Sequence, residues 1–192
     1  YFHIDTVDLG RTFNTQDRDW YDYTLLNGST AQQPVWFRPR KQPDGSFLAY
    51  KDEEAIAIMP ATAISYDQII FPFQDGYPAH YGANLDEAMG RIHWAALAHS
   101  PWDHAGEVDF WSQLRANALQ LRTTSERAIV LSAGCNLFEW GTFLRRLDHF
   151  LMDLKRSPAD VERFLDALME RHLSSLEKIC HAVGDVVDII RL

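Results

Sequence analysis

The stretch that most constrains the fold runs from Glu126 to Arg146, ERAIVLSAGCNLFEWGTFLRR. Ala128–Ser132 is a short apolar run with Ile129 and Val130 near its centre, charge before it and Ala-Gly after it. Such a run reads as a strand covered on both faces, since a half-covered strand would alternate apolar and polar residues. Gly134 breaks the pattern, and Cys135, Asn136, Glu139 and Trp140 follow, each with a chemically capable side chain. Helical spacing then begins at Phe138 and predicts one helix through Phe143, Leu147, Phe150 and Leu151. A covered strand, a glycine turn, polar groups and a helix make up the unit that sets functional side chains at the carboxyl edge of a parallel sheet.

The other regions supply more units of this kind. Tyr1–Ile4 reads as the tail of a core strand, with Asp5 and Asp8 after it, and Leu9–Thr30 as a polar, aromatic loop without periodicity. VWFRPR, the turn Pro43–Ser46 and FLAYKDEEAIAIM predict a β-hairpin with a third strand, an antiparallel insertion over about residues 31–60. Ala61–Gly82 is irregular. Asn84 is placed to cap a helix carrying Leu85, Met89, Ile92 and Ala96 on one face, ended by Pro101. Glu107–Arg122 predicts a second helix with Val108, Trp111, Leu114, Ala118 and Leu121 toward the core. Ser157-Pro158-Ala159-Asp160 starts a long one, whose apolar face runs from Val161 through Leu165, Leu168, His172, Leu176 and Ile179 to Val183. Gly184 stops it before a last strand, Val186–Ile190. Strand, helices and strand in this order over 126–192 imply a parallel α/β architecture with right-handed crossovers.

At 192 residues with 46% apolar content, the chain predicts one domain around one core. Its charge of −9, from 18 Lys+Arg against 27 Asp+Glu spread along the chain, argues against nucleic acid or an anionic membrane surface as partner. No apolar run approaches the ~20 residues of a membrane-spanning helix. Two cysteines make no disulfide framework, so a reducing cytoplasm is the expected setting. The chain opens inside an apolar run and stops on a strand-like one, which reads as an interior fragment of a longer protein.

Asp5, after the first apolar run, reads as a carboxylate that orients or protonates a substrate, or as a cap. His3 and Asp5 would share a strand face, but two donors make no zinc site without a third. Cys135 reads as a ligand or nucleophile, or as a small packing residue, and no histidine lies near it in sequence to activate it. Glu139 sits among Leu137, Phe138 and Trp140, where desolvation would raise its pKa toward a general-acid role. The rival reading pairs it with Arg145 or Arg146. Asp5 and Glu139 are therefore the catalytic candidates, and Cys135, Asn136, Trp140 and Arg191 the substrate-binding ones. Arg191, closing the last strand, suits a carboxylate or phosphate. His172, on an apolar helix face, reads as a core histidine. Cys180 and His181 would point about 100° apart on a helix, and His93, His99 and His104 fit no metal spacing, so no metal site is predicted. The sequence also holds no Gly-rich phosphate loop, G-x-S-x-G or H-E-x-x-H.

The run Ala128–Leu192 resembles the uroporphyrinogen decarboxylase family, which includes the methylcobamide:coenzyme M methyltransferases and other corrinoid-linked methyltransferases. The resemblance rests on AIVLSAGCNLFEWGTFL, on SPADVERFLDALMERHLSSLEK and on GDVVDIIRL, with FHIDTVDLG similar to an earlier strand and NLDEAMGRIHWAALAHSPW to a divergent branch. It implies a (β/α)₈ TIM barrel with its site at the carboxyl ends of the strands. This chain would then be a partial barrel, a single incomplete domain carrying an inserted β-hairpin. The decarboxylases carry a Pro-Trp-Thr run where Cys135, Asn136 and Leu137 stand, and a tyrosine where Gly141 and Thr142 stand.

Three readings follow. In corrinoid-linked methyl transfer, Asp5 and Glu139 would line the site, while zinc, corrinoid and a corrinoid protein partner would be held through residues beyond Leu192. In uroporphyrinogen III decarboxylation, which needs no cofactor, Asp5 would contact the tetrapyrrole's nitrogens and stabilise a developing cation. In the third, a barrel-derived module binds without catalysis.

Overall fold

A computed structural model of the chain describes residues 5–9, 20–24, 28–35, 37–92 and 106–192. In chain order the elements are β1 (Thr6–Asp8), β2 (Trp20–Thr24), β3 (Thr30–Pro34), β4 (Arg40–Lys41), β5 (Phe47–Lys51), β6 (Glu54–Met59), β7 (Asp67–Gln68), α1 (Gly82–Gly90), α2 (Phe110–Thr124), β8 (Ala128–Ser132), α3 (Leu137–Arg145), α4 (Leu147–Arg156), α5 (Pro158–Val183) and β9 (Ile189–Arg191). This is a mixed α/β chain. Its contacts divide it into two units, one of Tyr1–Gln16, Ser100–Leu137 and Leu168–Leu192, the other of Asp17–His99 and Phe138–Ala167. No helix among the described residues is long and apolar enough to cross a membrane.

The first unit is built on a parallel sheet in the order β1-β8-β9. Thr6 pairs with Ala128 and Asp8 with Val130, while Val130 pairs with Ile189 and Ser132 with Arg191. One sheet face carries Leu9, Ile129 and Leu131, all fully buried against Leu114 and Ala118 of α2 and Ile179 and Val183 of α5. The expected strand at Ala128–Ser132 is therefore present, and its parallel pairing with the final strand is as anticipated. That final strand lies later than expected, at Ile189–Arg191, because Val186 is drawn into the core and its N–H bonds to Val183 O at the end of α5. Where the predicted face of α5 lies in this unit, Leu168, His172, Ile179 and Val183 are buried and Leu176 is half-buried against the core. Helix α2 starts at Phe110 instead of Glu107, and Val108, expected in the core, is 98% exposed.

The second unit holds an antiparallel sheet β4-β5-β6-β7 and a separate hairpin β2-β3. The Pro43–Ser46 turn forms as read from the sequence. Gly45 takes φ +86°, and Asp44 Oδ1 accepts from Ser46 N at 2.9 Å and from Ser46 Oγ at 2.7 Å. The next connection uses Asp52 and Glu53, both at positive φ, as a tight hairpin between β5 and β6 requires. The strip Leu9–Thr30, expected as loop, contributes β2, which pairs from Trp20↔Pro34 to Thr24↔Thr30. Tyr21 anchors that hairpin by donating its hydroxyl to Phe37 O at 2.6 Å, with the Arg38 guanidinium 3.4 Å from its ring centre.

Two helix expectations in this unit are corrected. Asn84 does not cap α1, whose N-cap position is Tyr81. Its amide lies inside the helix and donates to His80 O at 3.0 Å. The single helix expected from Phe138 to Leu151 is two, because Arg146 at φ +66° stands between α3 and α4. A right-handed helix cannot run through that conformation.

Candidate functional site

Alternation along each strand divides the parallel sheet into two faces. The face opposite the buried one carries Thr6 and Asp8 from β1, Ala128, Val130 and Ser132 from β8, and Ile189 and Arg191 from β9. At the carboxyl edge this face gathers one acid, one hydroxyl and one guanidinium. Asp8 and Arg191 are exposed. Ser132 Oγ is buried and has no hydrogen-bond partner among the described residues. Arg191 makes no ion pair there either, whereas Arg115, Arg122, Arg145, Arg146 and Arg163 each hold a carboxylate.

The acid at this edge is Asp8. Asp5 lies at the opposite, amino end of β1, where its carbonyl accepts from Ala128 N at 3.0 Å. The apolar run Tyr1–Ile4, expected as the strand before Asp5, lies outside the described residues, and the described strand begins after Asp5. Val7 and Leu9 face the core, so the strand comprises Thr6–Asp8. The apolar alternation Val7-Asp8-Leu9 is the signal that would have found Asp8.

Beyond β8 the chain turns at Gly134, φ +66°, and Ala133 N donates to Arg191 O at 2.7 Å, tying the turn to the end of β9. Cys135 is half-buried against the core of this unit, with Sγ 3.5 Å from Ala133 O and 4.0 Å from His172 O. Burial pushes its thiol pKa up, against a smaller downward pull from Arg171. A thiol so placed stays protonated near neutral pH and is a poor nucleophile or metal ligand. His172 is 5% exposed, its Nε2 has no partner among the described residues, and burial lowers its pKa. Asn136 is half-buried just before α3.

Glu139 and Trp140 belong to the second unit. Glu139 is exposed in the first turn of α3, so the burial that would make it a general acid is not there. An acid in that turn complements the helix dipole. The arginines expected to pair with it are engaged elsewhere, Arg145 with Asp153 at 2.7 Å and Arg146 with Asp148. Trp140 packs edge-on against Phe143 with ring centres 6.0 Å apart.

His3, His93, His99 and His104 lie outside the described residues. No group of three or more His, Cys, Asp or Glu side chains able to hold a metal forms among those described. Cys180 and His181 are exposed on α5, and His181 borders an open groove with Trp111, Arg115 and Lys178. Of the residues read as functional from sequence, Cys135, Asn136 and Arg191 meet around one sheet edge, joined there by Asp8 and Ser132. Comparison with protein-family models, curated proteins and solved structures found no match.

Proposed function

We propose that the chain is part of a uroporphyrinogen decarboxylase-type (β/α)₈ barrel enzyme acting on a small molecule in the cytoplasm, with corrinoid-linked methyl transfer as its activity. The observation that carries this reading is the carboxyl edge of β1-β8-β9, where three neighbouring parallel strands end in Asp8, in Ser132 with the Gly134–Asn136 turn, and in Arg191. Parallel strands bring all their carboxyl ends to one edge, which is why sites of such sheets are assembled there. In this reading the chain's own residues bind and orient the substrate, Arg191 through a negative group and Asp8 through a donor.

The described residues offer no set that fits zinc, and the Cys135 thiol is held protonated by burial. No step is therefore assigned to a metal in this part of the protein. Zinc, corrinoid and a corrinoid protein partner are in this reading held by groups other than the described residues.

Uroporphyrinogen III decarboxylation is the second reading, favoured by one observation. An acid at the carboxyl end of a parallel strand is what would meet pyrrole N–H groups, and Asp8 occupies that end of β1. Zinc content and methylcobalamin binding of the intact protein, with carbon dioxide release from uroporphyrinogen III in parallel, separate the two. Stoichiometric zinc with corrinoid binding supports methyl transfer, whereas carbon dioxide release without metal supports decarboxylation. If all assays are negative, both fail and a non-catalytic binding module becomes the stronger reading.

A further inference from the structure

We infer that the groove between α2 and α5 binds a small aromatic carboxylate, with its ring laid on Trp111 and its carboxylate held by Lys178 and His181. These helices cover the buried face of the parallel sheet. The groove is therefore separate from the carboxyl-edge site and independent of the function proposed for it.

Trp111 and Arg115 from α2, with Glu177, Lys178, His181 and Ala182 from α5, line one hollow of about 660 Å³, and all belong to the first unit. Small-molecule sites typically measure about 300–1,000 Å³. Helical spacing explains the α5 wall. Residues three or four apart stand on one side of a helix with Cβ atoms about 5–6 Å from each other, so Lys178 and His181 are neighbours, as are Glu177 and His181. Lys178 and His181 are exposed, and neither has a hydrogen bond or ion pair among the described residues. Two such side chains at this spacing can share the oxygens of one carboxylate. Trp111 is half-buried, packs on the core and meets Phe110 edge-on with ring centres 5.0 Å apart. Its ring is thus held in place before a ligand arrives, and stacking on it costs little ordering entropy.

Charge selects a monoanion. Arg115 adds no free charge, because its Nη1 and Nη2 donate to Asp185 at 2.6 and 2.7 Å. Nη1 also donates to Ala182 O at 2.9 Å, which ties α2 to the end of α5 and so joins the two walls. What remains is Lys178 and His181 against Glu177, a balance of zero or one positive charge according to whether His181 carries a second proton. That balance suits a single carboxylate and disfavours a phosphate dianion. Cations near the end of a helix also complement its dipole, but that role needs neither a hollow nor an indole across it.

Calorimetric titration of the intact protein with naphthalene-2-carboxylate tests the proposal, with 2-naphthylmethanol, cyclohexanecarboxylate and 2-naphthyl phosphate as controls. The aromatic carboxylate is expected to bind at least about fivefold tighter than each control. Lys178→Met and His181→Gln should each weaken it about threefold while leaving 2-naphthylmethanol unchanged. Glu177→Gln, which removes the opposing charge, should tighten it about twofold. Trp111→Leu should weaken both uncharged and carboxylate naphthyl compounds about fivefold, and Trp111→Phe, which keeps a ring against the core, should cost less. Thermal melts of each variant verify folding. A purely structural role for Lys178 and His181 would move those melts and leave affinity alone, which counts against the site. No binding of naphthalene-2-carboxylate, binding no tighter than the alcohol or the cyclohexane acid, or indifference to both Lys178→Met and His181→Gln would overturn the proposal. Tightest binding by the phosphate would overturn it as well, since the charge balance would then be misread.

Discussion

Arg145 Nε donates to Asp153 Oδ2 at 2.7 Å, with the two side chains only 13% and 12% exposed. The guanidinium is further held by the Phe73 carbonyl at 2.8 Å and lies 5.2 Å from the centre of the Tyr77 ring. A withdrawn ion pair gains little over an apolar pair, but removal of one partner leaves the other charge stranded. Asp153→Ala is therefore expected to destabilise the protein by about 3–5 kcal/mol. The double replacement Arg145→Met with Asp153→Leu should cost far less. Urea unfolding of wild type, the single variant and the double variant checks the ordering.

Gly141 is irreplaceable for a local reason. A Cβ added there would stand 2.6 Å from the Phe150 ring, whose own freedom is limited by edge contacts with Phe138 and Phe164. Alanine inside a helix would gain up to about 1 kcal/mol of propensity, whereas overpacking costs about 1–3 kcal/mol. Gly141→Ala should lower stability by about 1 kcal/mol on balance, and Gly141→Ala with Phe150→Leu should recover it. Thermal melts of both report the sign.

His172 predicts a pH dependence. Burial lowers its pKa below the ordinary 6.5, with Arg171 adding a smaller push in the same direction. As pH falls below 6.5 the unfolded chain takes up the proton and the folded chain does not, so stability falls with pH until the folded value is passed. The slope contributed is at most about 1.4 kcal/mol per pH unit. Unfolding measured between neutral pH and pH 5 should show a shallower decline for His172→Phe than for wild type.

Asp185 acts at lower pH. Arg115 donates to it through Nη1 at 2.6 Å and Nη2 at 2.7 Å, and these bonds hold its pKa at about 2, below the usual 3.8. The contribution is complete above the unfolded pKa and disappears as pH drops from about 4 to about 2. Acid titration of wild type against Asp185→Asn should therefore diverge above that window and converge below it. Because both groups are solvent-exposed, the divergence should shrink in high salt.

The elements legible in the sequence were those with one dominant signal. Ala128–Ser132 is an unbroken apolar run, the Pro-Asp-Gly-Ser turn uses the residues its geometry demands, and the buried face of α5 repeats every third or fourth residue. What escaped had its signal divided or masked. Strand β2 sets Tyr21 opposite Gln33 and Tyr23 opposite Ala31 in the largely polar β3, so no apolar alternation marks the pair. The break at Arg146 falls on a residue with no turn propensity inside an uninterrupted helical pattern, where its guanidinium pairs with Asp148 two residues on. At the candidate site, Arg191 was visible as a cation closing a strand. Asp8 and Ser132 were not, since their roles depend on which residues of distant strands stand opposite them.

The pairing of Thr6 with Ala128 also sets an order of events during synthesis. Strand β1 leaves the ribosome roughly 120 residues ahead of the strand it must bond to, and a loop that long makes the encounter slow. Until β8 and then β9 arrive, its Val7 and Leu9 have no sheet to complete. The β4–β7 meander, whose pairings are all between neighbours in the chain, faces no such delay. The parallel sheet then forms after that meander, and a nascent chain stalled before Ala128 would expose β1 to chaperones.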